Sequence, residues 1–443
     1  MKITITFLLS LLFALHALGQ APPSKKALPV KNVILLIGDG MGNSEITIAR
    51  NYQYGAAGRL EMDALPFTGT ATTYSLIETE PAKINYVTDS AAGGTAWATG
   101  VKTSNGRIST EAGTNKPLRT ILEVAKRLGL RTGNITTAEI TDATPAVLAS
   151  HVSSRSCQGP ADMKNCSAER KSQGGLGSIA EQLIDHQVDV LMGGGRHRFE
   201  PKIEGGKYDG KTVLQAAEAE GYRIIETASE LESLTSGSKV LGLFNSGNMS
   251  MEWKGDPAIA FPGSGPQRCQ ESQRPSKEPG LPEMTTSALK LLTAGRSAPG
   301  FFLQVEGAQI DKADHVAHPC EQIGETIAFD NAVRLSLDFA HAHPDTLVIV
   351  TADHGHTSQI VPAVTGNEAD HPAGLISTLT TADKSPMTIA YSTNVACCSS
   401  GHSMEHTGVQ VRVAAFGPHS EEVSGTHDMT DVYHVIARAI GAK

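Results

Sequence analysis

Ser90 stands where a nucleophile could work, between Asp89 and a run of small residues in the segment DSAAGGTAWATG at 89–100. Such a run can open a helix. A helix N-terminus presents unpaired N–H groups and the positive end of the helix dipole. The ionised form of a serine hydroxyl is stabilised at that place, and a phosphate can bind beside it. Asp-Ser is also a common helix cap, so a purely structural role stays open for the pair alone.

Carboxylates and imidazoles follow several apolar segments of the chain. Asp39 lies in the turn GDGMG at 38–42, whose glycine spacing differs from that of a dinucleotide-binding loop. Glu306 closes another apolar segment. Asp311 and His315 come shortly after it and are four residues apart, so on a helical turn they share one face and could grip one metal ion. A tight turn with an incidental Asp39, and a solvated helix start at 306–315, are the structural alternatives.

A third apolar segment is followed by the residues DHGH at 353–356, which place Asp353, His354 and His356 together. Three acid or imidazole groups in four residues are hard to explain as ordinary solvent-exposed polar residues. His406, taken alone, is an ordinary histidine. Arg155 follows the turn DATP at 142–145, and its guanidinium would be a natural bidentate partner for two phosphate oxygens.

The elements that must position these residues alternate between apolar strands and amphipathic helices. Continuous apolar runs predict buried parallel strands at 33–37, 188–192, 301–305 and 346–350. Helical spacing predicts helices at 121–128, 325–343 and 430–440. This alternation predicts an α/β fold with a doubly wound, mostly parallel central sheet and helices on both faces. Ligands of such a sheet bind beyond the carboxyl ends of its strands.

The beginning of the chain has the pattern of a secretory signal peptide at 1–19, with Lys2 before an apolar run. We expect an N-terminal arm at 20–31 and a single domain at 32–443, with surface insertions near 246–282 and 357–405. No later apolar run reaches the length of a membrane span, so we expect no membrane anchor. The net charge is −9 and no basic cluster stands out, which argues against nucleic-acid binding.

The chain has six cysteines, which allow fifteen disulfide connectivities, so spacing alone does not decide the pairing. Export makes disulfides plausible. A short loop between Cys157 and Cys166 and a longer one between Cys269 and Cys320 are candidates. The adjacent residues at 397–398 could form a bridge with each other, stay free thiols, or pair with another chain.

Seven of these segments, in this order, resemble alkaline phosphatase, specifically its bacterial periplasmic form. They are GDGMG at 38–42, DSA at 89–91, DATP at 142–145, Arg155, EGAQIDKADH at 306–315, TADHGH at 351–356 and EHTG at 405–408. The resemblance covers nearly the whole mature chain. It implies hydrolysis of phosphate monoesters to an alcohol and inorganic phosphate through a phosphoserine intermediate.

The resemblance assigns a role to each site residue. Ser90 would be the nucleophile, and Arg155, oriented by Asp89, would clamp the phosphoryl oxygens. The implied cofactors are two zinc ions and one magnesium ion per subunit. Their ligands would be Asp311, His315 and His406 for the first zinc, Asp39, Asp353 and His354 for the second zinc, and Asp39, Thr144 and Glu306 for magnesium.

Three further residues would act around these ligands. His356 would fix Asp311 rather than bind metal. Asp142 would contact a water on magnesium, and Lys312 would reach the phosphate through water. Other members carry His at the positions of Asp142 and Lys312, so the Asp and Lys found here imply magnesium in the third site. The family also implies a homodimer, a periplasmic or secreted location, and disulfides that pair Cys157 with Cys166 and Cys269 with Cys320.

Two rival functions differ from this one in identifiable residues. A phosphodiesterase or sulfatase on the same scaffold generally lacks the third metal site and the arginine clamp, so Glu306, Thr144 and Arg155 favour a monoesterase. A secreted metal- or phosphate-binding protein would have no need of Ser90 beside the clamp. Two features depart from the family pattern: the adjacent cysteines at 397–398 and the length of the segment at 357–405. We further hypothesise that the glycines at 93–94 loosen the turn that carries Ser90.

Overall fold

The structure, a computed structural model, describes residues 30–235, 239–295, 298–363, 372–398 and 401–442. The predicted signal peptide and the arm up to residue 29 lie outside the described residues. Within the described part of the chain, no helix is both long and apolar enough to cross a membrane.

The strands are, in chain order, β1 (Asn32–Gly38), β2 (Phe67–Thr72), β3 (Ser75–Ile77), β4 (Glu80–Asn85), β5 (Arg131–Glu139), β6 (Val190–Gly194), β7 (Tyr222–Ile225), β8 (Lys239–Leu243), β9 (Trp253–Lys254), β10 (Ser264–Gln267), β11 (Gln270–Glu271), β12 (Phe301–Gly307), β13 (Thr346–Ala352), β14 (Ser358–Val361), β15 (Leu375–Thr380), β16 (Pro386–Tyr391), β17 (Val411–Phe416) and β18 (Gly425–Asp428).

The α-helices are α1 (Asn43–Tyr54), α2 (Ser90–Thr99), α3 (Ile121–Arg127), α4 (Ala143–Ala146), α5 (Ile179–Asp185), α6 (Val213–Ala219), α7 (Ala228–Glu232), α8 (Leu281–Thr293), α9 (Gln309–His315), α10 (Pro319–Ala342) and α11 (Thr430–Ala439).

A ten-stranded sheet with the order β18-β2-β17-β13-β1-β12-β5-β6-β8-β7 forms the centre of the molecule. The run from β13 to β7 is parallel throughout, and β17 pairs antiparallel with both of its neighbours. Every residue of β1 is buried, as expected for a strand covered on both faces. The predicted doubly wound, mostly parallel sheet is therefore confirmed.

Two sets of helices cover this sheet. The helices α1, α8 and α9 pack on α10, whereas α3 and α2 pack with α11, and α2 also contacts α4. Members of both sets contact the central strand β12. The four strands and three helices predicted from apolar patterns are all present, with ends that shift by a few residues.

The register of the central strands aligns their carboxyl ends. Gly38 at the end of β1 pairs with Gly307 of β12 on one side and with Ala352 of β13 on the other. The residues that follow these strands therefore emerge side by side at one edge of the sheet.

The two predicted insertions contain strands that sequence analysis did not identify. The strands β14, β15 and β16 from the second insertion join β10 from the first in a four-stranded sheet. Strand β5 of the central sheet was also missed.

Disulfides join Cys157 to Cys166 and Cys269 to Cys320, as the resemblance implied, and Cys397 to its neighbour Cys398.

Candidate active site

Ser90 is the first residue of α2 and is buried. The side chain of Asp89 caps this helix, because its Oδ1 accepts a hydrogen bond from the Ala92 N–H at 3.0 Å. The Ser90 hydroxyl lies 3.2 Å from His354 Nε2 and 3.4 Å from Asp39 Oδ1. The predicted helix start is present, and its serine faces an imidazole and a carboxylate.

The aligned strand ends bring Asp39 and Asp353 together. Asp39 follows β1, and Asp353 follows β13. The Gly40 N–H donates to Asp353 Oδ1 at 3.1 Å, so the two turns are joined directly. Gly40 has a φ of +65°, which favours glycine, and a Cβ there would also be crowded at 3.1 Å from the Cβ of Asp311. His354 Nε2 lies 3.4 Å from Asp39 Oδ1 and 3.5 Å from Asp353 Oδ2.

A second group of ligand atoms lies at the same edge. Asp311 and His315 share one face of α9, as predicted, with His315 Nε2 3.4 Å from Asp311 Oδ2. His406 precedes β17, and because β17 runs antiparallel, its amino end meets the carboxyl ends of the parallel strands. His406 Nε2 lies 3.3 Å from Asp311 Oδ1 and 3.1 Å from His315 Nε2.

Three of the imidazoles are oriented by backbone carbonyls through Nδ1. The pairs are His315 with Met404 O at 2.5 Å, His406 with Thr88 O at 3.0 Å, and His354 with Gly355 O at 3.3 Å. A carbonyl only accepts, so this pairing assigns the proton to Nδ1. In the neutral ring Nε2 then keeps a free lone pair, as in a metal-binding histidine.

His356 is held the other way round. Its Nδ1 accepts a hydrogen bond from the Thr357 N–H at 2.9 Å, so in the neutral ring the proton is on Nε2. That Nε2 lies 3.3 Å from Asp311 Oδ1. Burial lowers the pKa of His356 to about 4, which keeps the ring neutral. A neutral ring protonated at Nε2 is suited to hold a carboxylate, and does not offer that nitrogen to a metal.

Arg155 is the centre of a charged chain beside Ser90. Its Nη1 lies 3.3 Å from Asp89 Oδ2, and its Nη2 donates to Asp142 Oδ1 at 2.9 Å. The other Asp142 oxygen accepts from Lys312 Nζ at 2.7 Å. Because Asp89 also caps α2, one residue connects the arginine with the helix that begins at Ser90.

Two further predicted residues lie buried near this series of ion pairs. Glu306 Oε2 accepts a hydrogen bond from the hydroxyl of Thr136 at 2.5 Å. The hydroxyl of Thr144 is buried and has no hydrogen-bond partner within the described residues. A buried polar atom without a partner costs free energy, so this hydroxyl is suited to receive a ligand such as a metal ion.

The site concentrates buried carboxylates. Burial, together with the charges of nearby carboxylates, raises the pKa of Asp353 to about 6 and that of Glu306 to about 8. Burial, followed by the charges of Asp311 and Asp353, holds the pKa of Asp39 well above its usual range. Burial opposes ionisation of Asp311 too, but the neighbouring histidines outweigh it and leave that pKa well below normal. Such a cluster calls for compensating cations.

The ligand atoms fit metal ions. Asp311, His315 and His406 form one group of potential ligands together with His356, and Asp39, Asp353 and His354 form another. Mixed carboxylate and imidazole sets suit zinc. The oxygen atoms of Asp39, Thr144 and Glu306 suit magnesium, since that ion prefers oxygen ligands. One buried Asp353 oxygen, Oδ2, has no hydrogen-bond partner among the described residues and remains available to a cation.

Sequence reasoning did not identify Thr136 or the carbonyls of Thr88 and Met404. Thr136 carries a weak signal, because it lies in the alternating segment TGNITTA at 132–138. The two carbonyls carry none, since every residue has one.

A buried serine at a helix N-terminus, beside clustered carboxylates and imidazoles, is typical of a metal-dependent hydrolase. The family model described as alkaline phosphatase matches residues 30–401. Streptomycin-6-phosphate phosphatase of Streptomyces griseus is 49% identical over 443 residues, which cover 97% of this chain and 96% of the relative. Alkaline phosphatase of Escherichia coli strain K12 is 47% identical over 424 residues, covering 94% and 87%.

The solved structures agree. Alkaline phosphatase from the Antarctic bacterium TAB5 superposes with a TM-score of 0.67 at 25% identity, covering 94% of this chain and 99% of that one. The chain belongs to the alkaline phosphatase family.

Proposed function

We propose that the protein hydrolyses phosphate monoesters to an alcohol and inorganic phosphate through a phosphoserine formed on Ser90. One observation carries the proposal: the Ser90 hydroxyl, at the start of α2, lies within 3.4 Å of both Asp39 and His354. Asp89, the adjacent residue, contacts the guanidinium that can bind phosphate.

The metal centre proposed here has two zinc ions and one magnesium ion. Their ligands are Asp311, His315 and His406 for the first zinc, Asp39, Asp353 and His354 for the second zinc, and Asp39, Thr144 and Glu306 for magnesium. When bound, such ions neutralise charge on the attacking and departing oxygens and promote ionisation of water. The contacts of Asp142 with Lys312 and Arg155 support an accessory role for Asp142 beside the magnesium site.

The chain's own residues then have separate tasks. The N–H groups at the start of α2 favour negative charge at Ser90, whose hydroxyl releases its proton to solvent. The serine oxygen attacks phosphorus while the ester oxygen departs with its bonding electrons and takes up a proton from solvent to give the alcohol. Arg155 binds two phosphoryl oxygens through its planar fork, and Asp89 and Asp142 hold it in that orientation. Water then attacks phosphorus from the side that the alcohol has left, the bond between phosphorus and the Ser90 oxygen breaks, and one proton of the water restores the serine hydroxyl as inorganic phosphate is released. His356 keeps Asp311 in place through its Nε2 proton.

Several broader proposals accompany this function. Residues 1–19 act as a signal peptide, the protein is periplasmic or secreted, and residues 32–443 form one domain with insertions near 246–282 and 357–405. We also propose a homodimer, as in the resemblance. The relative from Streptomyces griseus is named for a phosphate monoester, which supports the same substrate class here.

Replacement of the nucleophile tests the mechanism. We expect Ser90→Ala to lower turnover of an aryl phosphate by roughly a thousandfold or more, because no other group forms the covalent intermediate. Zinc and magnesium contents, measured by mass spectrometry, should stay at the wild-type level. The control is Ser229→Ala, at an exposed position of α7, which should change neither quantity. Undiminished turnover in Ser90→Ala would rule out the proposed nucleophile.

A comparison of substrates separates monoesterase from diesterase. We expect the aryl phosphate to be hydrolysed much faster than the matching diester, because Arg155 and the magnesium ligands fit a terminal phosphoryl group. Activity should disappear on chelation and return only when both zinc and magnesium are restored. A large preference for the diester would overturn this proposal in favour of the phosphodiesterase.

A further inference from the structure

A second cluster of metal-ligand side chains shares no residue with the proposed active site. Glu123 lies in the first turn of α3, His151 follows α4, and His186 is the residue directly after α5. Their spacing in the sequence, 28 and 35 residues, forms no recognisable motif. The fold alone brings the three side chains together.

The ligand atoms of this cluster converge on one carboxylate oxygen. Glu123 Oε1 lies 3.2 Å from His151 Nε2 and 3.1 Å from His186 Nε2. Zinc bonds of about 2.1 Å at a tetrahedral angle place neighbouring ligand atoms about 3.4 Å apart. The observed separations are slightly shorter than that value, so each imidazole needs to move only about 0.2–0.3 Å away from the carboxylate oxygen to admit a zinc ion.

Backbone carbonyls orient both imidazoles as they do in metal sites. His151 Nδ1 pairs with Ser109 O at 2.9 Å, and His186 Nδ1 pairs with Gln182 O at 2.9 Å. In the neutral rings both Nε2 lone pairs therefore face Glu123 Oε1, an unfavourable arrangement that either a bound metal ion or a second proton on a ring relieves. Burial lowers the pKa of His186, but the hydrogen bond to Glu123 outweighs it and raises that pKa, so the carboxylate attracts positive charge to this place. The other Glu123 oxygen already accepts the Thr120 N–H at 2.8 Å, so only Oε1 is left for that cation.

We propose that Glu123, His151 and His186 bind one zinc ion through Oε1 and the two Nε2 atoms. Two imidazoles and one carboxylate are a known zinc-binding combination that keeps a fourth coordination position open. A cavity of about 490 Å³ adjoins the cluster and is lined also by Arg119, Lys126 and Arg127. The side chains of Glu123 and His186 are 23% and 24% exposed, so the ion has an entry path and room for a water or small anion.

The zinc ion would fasten three parts of the fold. The backbone of His151 is already tied to α5, because its N–H donates to Gln182 Oε1 at 2.9 Å and its carbonyl accepts from Gln182 Nε2. A metal at this place adds α3 to that connection. Because the folded chain presents the three ligands together and the unfolded chain does not, zinc binding should stabilise the native state.

A count of bound zinc tests the proposal. The wild type and the variants are dialysed with catalytic metals present, at about pH 8, where unperturbed imidazoles are neutral. We expect His186→Ala and Glu123→Gln each to contain one zinc ion per chain fewer than the wild type. Glu123→Gln keeps an amide oxygen for the Thr120 N–H, so its helix cap should survive. The control is His434→Ala, an exposed histidine of α11, which should lose none.

Two further measurements distinguish loss of this zinc ion from unfolding of the variant and from damage to the active site. Circular dichroism and aryl phosphate turnover should match the wild type in all three variants. The zinc-dependent rise in Tm should be smaller in His186→Ala and Glu123→Gln than in His434→Ala. The difference between variants isolates this site, whatever number of metals the active site holds. Equal zinc contents in the wild type and both cluster variants would overturn the proposal.

Discussion

Arg155 is oriented before any phosphate is present, because Asp89 and Asp142 hold its two terminal nitrogens. Burial works against its charge, but these carboxylates raise its pKa, so the guanidinium stays protonated. A preset side chain loses less conformational entropy when it binds a ligand. The same geometry means that a lysine, with its compact charge on a flexible side chain, cannot replace the planar guanidinium of Arg155.

We predict that Arg155→Lys raises KM for an aryl phosphate by roughly tenfold to a hundredfold, since an ammonium cannot make the two parallel hydrogen bonds. Inhibition by inorganic phosphate should weaken by a similar factor. Steady-state kinetics with phosphate as competitor measure both. Arg223→Lys, at an exposed position on β7, is the control and should leave both constants unchanged. Unaltered KM and phosphate inhibition in Arg155→Lys would show that the arginine is no clamp.

The proton positions of the histidines give a second prediction at this scale. His356 protonated at Nε2 holds Asp311, whereas the neutral ring of His406 keeps its proton on Nδ1 beside Thr88 O and leaves Nε2 free for a metal ion. His356→Ala should therefore weaken zinc affinity by roughly tenfold to a hundredfold yet regain activity in excess zinc. His406→Ala should not recover, because a proposed ligand is gone. Activity titrated against buffered free zinc distinguishes the two variants, and identical behaviour would contradict the assignment.

At the scale of elements, apolar pattern was enough to predict β1, β12 and β13, since strands buried on both faces are continuously apolar. Strand β5 was missed because it buries polar side chains. Asn134 donates to Pro145 O, and Thr136 donates to Glu306. Such a strand resembles a loop in the sequence until its partners are known. The cluster of Glu123, His151 and His186 was not predicted either, because its three residues are far apart in the sequence and meet only in the folded chain.

The helix that carries Ser90 also needs a close approach that the sequence did not predict. A Cβ at Gly93 would lie 2.8 Å from the carbonyl oxygen of Asp353, which is a fixed backbone atom. At Gly94 the nearest atoms, at 3.1 Å and 3.2 Å, are side-chain methyls of Val147 that can shift. The first glycine is therefore explained by contact between α2 and the end of β13, without the loosened turn hypothesised from sequence.

We predict that Gly93→Ala lowers turnover by roughly tenfold or more, because α2 must move away from β13 and takes Ser90 with it. Gly94→Ala is the matched control and should retain most of the activity. Turnover and zinc content of both variants provide the measurement. If Gly93→Ala gained thermal stability at full activity, neither the close contact nor a need for flexibility would matter at this position.

At the scale of the whole molecule, α10 connects the first of the two predicted insertions, near 246–282, with the central sheet. It carries Cys320, which is bonded to Cys269 of the first insertion, and it contacts β12 and β13. Glu325 on the same helix accepts a hydrogen bond from the Glu252 N–H at 2.7 Å. Arg274 bonds to the side chain of Glu252, so an ion pair within the insertion steadies the segment whose backbone contacts α10.

Glu325 makes the stability of this connection depend on pH. Burial, followed by the charge of Glu252, raises the pKa of Glu325 from its ordinary value of 4.5 to about 8, although Arg274 opposes the shift. Between these two values the folded chain keeps a proton that the unfolded chain releases. Stability from this residue is therefore present below the lower value and falls as pH rises toward the higher one, by at most about 1.4 kcal/mol per pH unit.

Glu325→Gln removes the ionisable group while an amide oxygen can still accept the Glu252 N–H. We predict that the free energy of unfolding of this variant exceeds that of the wild type by an amount that grows across the window and levels off above about pH 8. Denaturant titrations at several pH values, with metal concentrations held constant, measure the difference, in which pH effects common to both proteins cancel. The control is Glu232→Gln, an exposed glutamate of α7, whose difference from the wild type should stay flat. A Glu325→Gln difference that is independent of pH would mean that Glu325 is ionised in the native protein, with Arg274 compensating its charge.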